Sequence, residues 1–188
     1  MYVVIEGIDT AGKSTQLDIL KKNHPNAIFT KEPGGTKLGL TLRELALSGK
    51  ASSPIAEMFL FLADRAEHIE VVIKKNLSKT IISDRSVISG IAYASLLPLQ
   101  EVIDLNLIAT SNIMPSHVIL LELSKEELIH RLSQKKNDAI ELRGIEYLLN
   151  IQNRMKETVK ILKLNHIFID AKLSIKEIEL KIEEFINE

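Results

Sequence analysis

No cysteine occurs among the 188 residues, so disulfides, thiol nucleophiles and cysteine-bound zinc are all excluded. Neither sign of charge predominates. The 24 lysines and arginines stand against 25 aspartates and glutamates, a formal net charge of −1, which argues against a broad nucleic-acid or membrane surface. No apolar run approaches the length of a membrane span. The first strand pattern starts at the second residue, so no signal peptide is expected, and the expected location is cytoplasmic. Internal repeats, low-complexity tracts and long linkers are missing too. Arginine is scarce, six of the 24 basic residues. In a chain that favours lysine this strongly, each arginine is a candidate for a place that needs a planar, two-pronged donor.

What is present is an ordinary mixture, 45% hydrophobic and 26% charged, in a length that suits one domain over residues 1–188. Short apolar runs recur at Tyr2 to Glu6, Ala27 to Thr30, Thr80 to Ser83, Val118 to Leu123 and His166 to Ile169, with helical patterns between them. Five strands alternating with helices predict an α/β fold, a parallel sheet covered by helices on both faces. Helices are expected over Lys13 to Lys22, Thr36 to Leu47, Ser86 to Ser95, Leu99 to Thr110, Lys125 to Leu132 and Ile145 to Leu164. Another opens at Ser53-Pro54, with serine as cap, and its buried stripe is Ile55, Met58, Leu62, Ala66, Ile69 and Ile73. Ser174 caps the last helix. The polar stretch Ser133 to Asp138 has no clear period and is a candidate mobile segment.

The strongest functional signal follows the first apolar run. Gly7-Ile8-Asp9-Thr10-Ala11-Gly12-Lys13-Ser14 is a complete phosphate loop of the form G-x-x-x-x-G-K-[ST], continued by Thr15. A strand that ends in such a loop and runs into a helix turns several backbone N–H groups toward one point, where the helix dipole adds to them. The glycines let the backbone turn around an anion, Lys13 reaches the β and γ phosphates, and the Ser14 hydroxyl is placed to ligate Mg²⁺. A ligand-free strand-to-helix turn is the alternative, and the flanking elements argue against it.

Three further groups lie near expected strand ends. Asp84-Arg85 ends the third strand, on the side of an open α/β sheet where ligands gather, which makes Asp84 a second Mg²⁺ candidate; the other reading is an aspartate capping the next helix. Phe61, Arg65 and His68 lie at i, i+4 and i+7 on the flank of a helix, where they line a cleft or belong to a solvated charged face; His68 reads as structural. Lys31-Glu32-Pro33-Gly34-Gly35-Thr36 makes a tight turn after the second strand, and Arg43 follows on the next helix.

Taken together these segments resemble the thymidylate kinase family of phosphate-loop nucleoside monophosphate kinases, collinearly over nearly the whole chain. The carrying patterns are Glu6 to Thr15, Lys31 to Thr36, Phe61-Leu62-Ala63-Asp64-Arg65, Asp84-Arg85-Ser86 with Ser89 and Ala92-Tyr93, and Asp170-Ala171. The resemblance implies a five-stranded parallel sheet of order 2-3-1-4-5 with a lid over about residues 131–143. It implies transfer of the ATP γ-phosphate to dTMP to give dTDP, on the way to dTTP, in a homodimer that binds no nucleic acid and no membrane. ATP would be held by Gly7, Ile8, Asp9, Thr10, Ala11, Gly12, Lys13, Ser14 and Thr15, with Mg²⁺ at Ser14 and Asp84. Phe61 would stack on thymine and Arg65 would bond its carbonyl. Tyr93 would lie against the sugar, and Arg43 and Arg85 would hold the dTMP phosphate. Glu32, Pro33 and Ser89 complete the dTMP site. Asp9 would organise the acceptor phosphate or its metal.

The chain also departs from the family. Gly90 stands where many relatives carry an amide, Ala94 replaces a frequent glutamine and Ser116 a common aspartate. The transition-state arginine found in the loop or the lid is absent from the loop, where Thr10 sits. Lys135 and Lys136 occupy lid positions where arginines are frequent, and Ala139 precedes Ile140-Glu141. The two lysines therefore join Asp9, Lys13 and Arg85 as catalytic candidates, the alternative being a solvated charge pair; Arg131 and Arg143 flank them. A small GTPase would carry an Asn-Lys-x-Asp motif, which is missing. A kinase of another small phosphate-bearing acceptor and a non-catalytic nucleotide-dependent switch are the alternatives. A cation acting in the transition state affects turnover more than affinity. Replacing Lys135 and Lys136 together by alanine is expected to lower kcat at least tenfold, about 1.4 kcal/mol, with a smaller effect on ATP binding. Normal steady-state turnover would move the role to Arg131 or Arg143, or show that this lid needs no catalytic cation.

Overall fold

The computed structural model describes residues 1–134 and 144–188. In chain order it contains β1 (Tyr2–Glu6), α1 (Lys13–Asn23), β2 (Ile28–Lys31), α2 (Lys37–Leu47), α3 (Pro54–His68), β3 (Ile81–Asp84), α4 (Val87–Tyr93), α5 (Leu99–Thr110), β4 (His117–Glu122), α6 (Lys125–Ser133), α7 (Ile145–Ile161), β5 (His166–Asp170) and α8 (Ile175–Asn187). A π-helical turn, Ile69–Ile73, and a 3-10 turn, Lys74–Asn76, prolong α3. The strands are all parallel and lie in the order β2-β3-β1-β4-β5, as expected.

That order explains the two helical layers. Parallel crossovers are right-handed, so the direction of travel across the sheet decides which face the connecting helix covers. Only the step from β1 to β2 runs one way, and α1 lies on its face. The steps into β3, β4 and β5 run the other way, and on that side α3 packs on α4 and α5, and α4 on α5 and α7. The final helix, α8, returns beside α1, where Gln16 Nε2 donates to Ile175 O at 3.1 Å and Asn23 Nδ2 to Glu183 Oε1 at 2.9 Å. With both faces covered, the central strands are apolar on both sides: Val3, Val4, Ile5, Ile81, Ile82, Ile119 and Leu120 are completely buried.

Caps set several helix starts. Ser53 accepts from Ala56 N with Pro54 in the first turn, and Ser174 forms a reciprocal capping box with Glu177. The ends differ slightly from the sequence reading. Helix α7 stops at Ile161 rather than Leu164, because Lys163 turns out through the left-handed region at φ 51°. Helix α4 ends at Tyr93, two residues short of Ser95.

One expectation is corrected in α3. Ala66 is exposed, and the buried positions beyond Leu62 are Asp64, Arg65 and His68. The inner face of α3 turns at this point from the apolar core toward polar groups of the turn after β2. Buried charged side chains persist there because each finds a partner. The same burial removes the reading of Arg65 and His68 as a solvated face.

Leu120 is fully buried at the centre of the sheet, whereas Ile161 is 50% exposed. Leu120→Ala is expected to cost about 3 kcal/mol in urea unfolding. Ile161→Ala should stay within about 0.5 kcal/mol. Equal losses in the two variants would contradict this placement of the core.

Candidate active site

The C-terminal ends of β1 and β3 form one edge of a cavity of about 500 Å³. It is lined by Asp9, Thr10, Gly12, Lys13, Ser14 and Thr15 from the phosphate loop and α1, by Lys31 and Glu32 at the end of β2, by Arg43 on α2, and by Asp84 and Arg85 at the end of β3. The loop requires glycine at its two ends. Gly7 has φ 146°, and a Cβ there would meet Leu121 O at 2.8 Å; Gly12 has φ 94° as it leads into α1. Thr10 is itself left-handed, at φ 69°.

Lys13 is buried and folds back over the loop, donating to Gly7 O at 2.8 Å and Ile8 O at 3.1 Å, with Asp9 4.0 Å away. Burial lowers its pKa to about 8, and the neighbouring Arg85 adds to the shift. Arg85 is held at every point. Its backbone is left-handed at φ 67°, its N–H donates to Ile5 O at 3.0 Å, and its carbonyl accepts from Ser83 Oγ at 2.8 Å. Its guanidinium donates to Asp9 Oδ1 at 2.6 Å and Ser89 Oγ at 3.0 Å, and it lies 5.6 Å from the Tyr93 ring centroid. Burial pushes the Tyr93 phenol up to about 12, so it stays protonated at neutral pH.

Asp84 does not cap the following helix. Ser86 does, accepting from Ile88 N, while Asp84 Oδ1 is buried without a hydrogen-bond partner among the described residues. A hard divalent cation suits such an orphaned carboxylate oxygen, and Ser14 lines the same cavity. No cluster of three or more His, Cys, Asp or Glu able to hold a metal occurs among the described residues. Asp84 and Ser14 would thus share any cation with the phosphates of a ligand.

A second polar group lies behind the turn after β2. Glu32 is 4% exposed and accepts from Arg65 Nε at 2.9 Å with one oxygen, while the other lies 2.8 Å from His68 Nδ1. Burial alone would raise its pKa, but Arg65 and His68 hold it below the usual carboxylate range. The far ring nitrogen of His68 is 2.6 Å from Thr30 Oγ1. Asp64 accepts from Gly34 N at 2.9 Å, and Arg43 Nη1 donates to Pro33 O at 3.1 Å. A Cβ at Gly35 would lie 2.6 Å from Lys31 O and 2.7 Å from His68 Cδ2, so this turn approaches α3 only as glycine.

Most of the candidate residues therefore meet. Ser89 and Tyr93 reach the cavity through Arg85, and Arg65 reaches it through Glu32. Ile8 and Ala11 are buried and do not line the cavity. Phe61 is half-buried one turn before Arg65 and does not line the cavity. Lys135, Lys136 and Arg143 lie outside the described residues. Arg131, near the end of α6, joins that helix to the phosphate loop, donating to Thr10 O at 2.9 Å and Ala171 O at 2.6 Å. Ser116 sits away from the cavity, hydrogen-bonded to Tyr2 at the start of β1.

The sequence reading missed Glu6 and Asn106. Glu6 is completely buried at the end of β1 and accepts from Ser86 Oγ at 2.7 Å, Ser89 Oγ at 2.5 Å and Ser89 N at 3.3 Å; burial raises its pKa. An acidic residue closing an otherwise apolar central strand was the available signal. Asn106 accepts from Arg65 across the fold, and nothing in its local sequence announces that.

Residues 5–182 match the family model for thymidylate kinase. The thymidylate kinase of Aliarcobacter butzleri is 71% identical over 187 residues, covering 100% of this chain and 99% of its own. That of Wolinella succinogenes is 55% identical over 182 residues, covering 97% and 96%. The solved structure of thymidylate kinase from Ehrlichia chaffeensis has the same fold, with a TM-score of 0.80 at 23% identity, covering 100% of this chain and 98% of that one.

The lowered pKa of Lys13 has a measurable outcome. Its ammonium is the form that attracts phosphate, and it is lost as pH rises through about 8. Affinity for a nucleoside triphosphate should fall about tenfold between pH 7 and pH 9 in calorimetric titrations at fixed ionic strength. Lys13→Met should bind weakly at both values with little pH dependence. A flat profile in the unaltered protein would contradict the assignment.

Proposed function

The chain belongs to the thymidylate kinase family, and on that premise we propose that it is a dTMP kinase, passing the γ-phosphoryl group of ATP to dTMP and releasing dTDP. The observation that carries the assignment is the single cavity in which the phosphate loop faces Arg85 from β3 and Arg43 from α2. One side suits a triphosphate, and the other presents two guanidinium groups to a second phosphate.

The residues divide the work by charge. A phosphate monoester has a second pKa of about 6, so at neutral pH the acceptor is already an anionic nucleophile and needs no general base. The obstacle is the mutual repulsion of two polyanions. Backbone N–H groups of the phosphate loop and the positive end of α1 hold the ATP phosphates. Lys13 leaves the Gly7 and Ile8 carbonyls to meet charge developing between the β and γ phosphates. Arg85 and Arg43 fix the dTMP phosphate in line. Asp9 holds the Arg85 guanidinium in place and keeps its donors directed at the acceptor. Bound at Ser14 and Asp84, Mg²⁺ would neutralise charge on the transferred group. Phe61, Arg65 and Tyr93 form the nucleoside side of the site, with Glu32 and Pro33 shaping its wall and Ser89 steadying Arg85.

A homodimer belongs to the same reading. Large apolar side chains are exposed on neighbouring helices, Leu38 and Leu45 on α2, Phe59 on α3 and Ile108 on α5. No described helix is long and apolar enough to cross a membrane, and a cytoplasmic location fits a partner set of ATP and dTMP with no nucleic acid.

A coupled assay of ADP release with a panel of acceptors tests the assignment. We expect dTMP to be preferred, with dUMP, which lacks one methyl group, disfavoured by about 1 to 3 kcal/mol in kcat/KM. Purine monophosphates should be rejected by size. Turnover of dAMP or dGMP equal to that of dTMP would overturn the substrate assignment, and ATP binding with no turnover of any acceptor would leave a nucleotide-dependent switch.

A further inference from the structure

Arg65 is gripped from three separate elements. Its side chain is almost wholly buried; Nε donates to Glu32 after β2, Nη1 donates to Asn106 Oδ1 on α5 at 2.7 Å, and Nη2 donates to Ser86 O at the start of α4 at 3.2 Å. A guanidinium carries five N–H donors in a rigid plane, so these bonds leave one on each terminal nitrogen. Asn106 cannot turn away. It is 1% exposed, and its amide nitrogen donates to Val102 O one helical turn back at 2.7 Å, which directs the amide oxygen at Arg65. Gly90 completes the arrangement from α4. A Cβ there would lie 2.4 Å from Nη1, 2.5 Å from Nη2 and 2.6 Å from Cζ of Arg65. No real side chain tolerates such distances, so the guanidinium occupies the volume that any residue but glycine would take.

We propose that Asn106 and Gly90 are a pair of positioning residues for Arg65: Asn106 pulls the guanidinium toward α5, Gly90 leaves it room, and together they hold its two remaining N–H groups as a fixed fork for a carbonyl oxygen of the pyrimidine. The inference rests on Arg65 being the contact to the base. Fixing the fork before binding matters because a long side chain otherwise loses rotamer freedom when it engages the ligand, weakening the contact. The bond to Asn106 is charge-assisted, and the carbonyl it uses comes from a residue remote from the phosphates. Its loss should therefore weaken binding of one substrate and leave the other unaffected.

The test compares Asn106→Leu, Asn106→Asp, Gly90→Ala and Arg65→Leu in the full chain, with steady-state kinetics in both substrates and thermal unfolding of each variant. Asn106→Leu and Gly90→Ala are expected to raise KM for dTMP about tenfold, the scale of one charge-assisted hydrogen bond, with KM for ATP within about twofold. Asn106→Asp keeps an oxygen for the bond to Arg65 but loses the donor to Val102 O, so its KM for dTMP should lie between those of the parent and Asn106→Leu. A purely structural role would lower the melting temperature without separating the two substrates, and a buried aspartate would not restore binding. Parental KM for dTMP in Asn106→Leu and Gly90→Ala, with a raised value in Arg65→Leu, overturns the positioning pair while keeping Arg65 at the base. Parental values in all three overturn the reading of Arg65 itself. Should Asn106→Leu fail to fold, Gly90→Ala decides alone: an unchanged KM for dTMP there overturns the proposal.

Discussion

The register between β1 and β3 governs the active end of this protein. Ile5 stands opposite Asp84, and the first residue beyond that pair, Arg85, donates its backbone N–H to Ile5 O. Because the strands are parallel, both leave the sheet at the same edge, so the phosphate loop and the Asp84-Arg85 step open into one space. A slip of one residue would draw Asp84 into the position of the fully buried Ser83, setting an unpaired carboxylate between the apolar layers, which they resist. Packing energy far from the cavity thereby holds Asp9 and Arg85 within hydrogen-bonding distance across 76 residues of chain.

The charges around this edge are arranged for function more than for stability. Arg65 and Arg85 each face a carboxylate, Glu32 and Asp9, while Lys13 rests on backbone carbonyls with Asp9 farther off. Buried ion pairs of this type seldom add net stability, since desolvation offsets the attraction, yet losing one partner leaves the other uncompensated. Glu6 is the extreme case. It is satisfied by hydroxyl and backbone donors of Ser86 and Ser89 and not by a direct cation. Ser89 Oγ, which donates to Glu6, also accepts from Arg85, so the buried acid and the cavity's guanidinium are linked through one hydroxyl.

The described arginines show why this lysine-favouring chain retains a few. Arg65, Arg85, Arg131 and Arg154 each clamp backbone or side chains at several points, and Arg43 bonds the Pro33 carbonyl. Arg131 spans Thr10 O and Ala171 O, tying the phosphate loop to the segment after β5. Arg154 donates to the carbonyls of Ile91, Ala92 and Ala94, fixing the end of α4 on which Tyr93 sits. A lysine offers no planar fork for such tasks.

Local signals in the sequence determined the strands, most helix starts and the phosphate loop. Period-two and continuous apolar runs, serine caps before helical patterns and the loop's glycine spacing each act over a few residues, so Tyr2–Glu6, the Ser53-Pro54 start, the Ser174 cap and the Gly7 to Ser14 loop were all legible without coordinates. Which candidates meet was decided by tertiary structure. Asp84 read as a metal group with a helix cap as the other reading, until Ser86 took the cap and left Asp84 Oδ1 without a partner among the described residues. Arg65 and His68 read as a possible solvated face because helical spacing says which residues share a side but not what lies opposite it; Glu32 and Thr30 supplied the partners that buried them. Ala66 fell outside for the same reason. Asn106 had no legible role because its partner is 41 residues away, and the absence of a side chain at Gly90 acquires meaning only when a guanidinium from another helix fills the space. Periodicity and motifs are properties of neighbouring residues. Burial, pKa shifts and hydrogen-bond partners belong to residues that folding brings together.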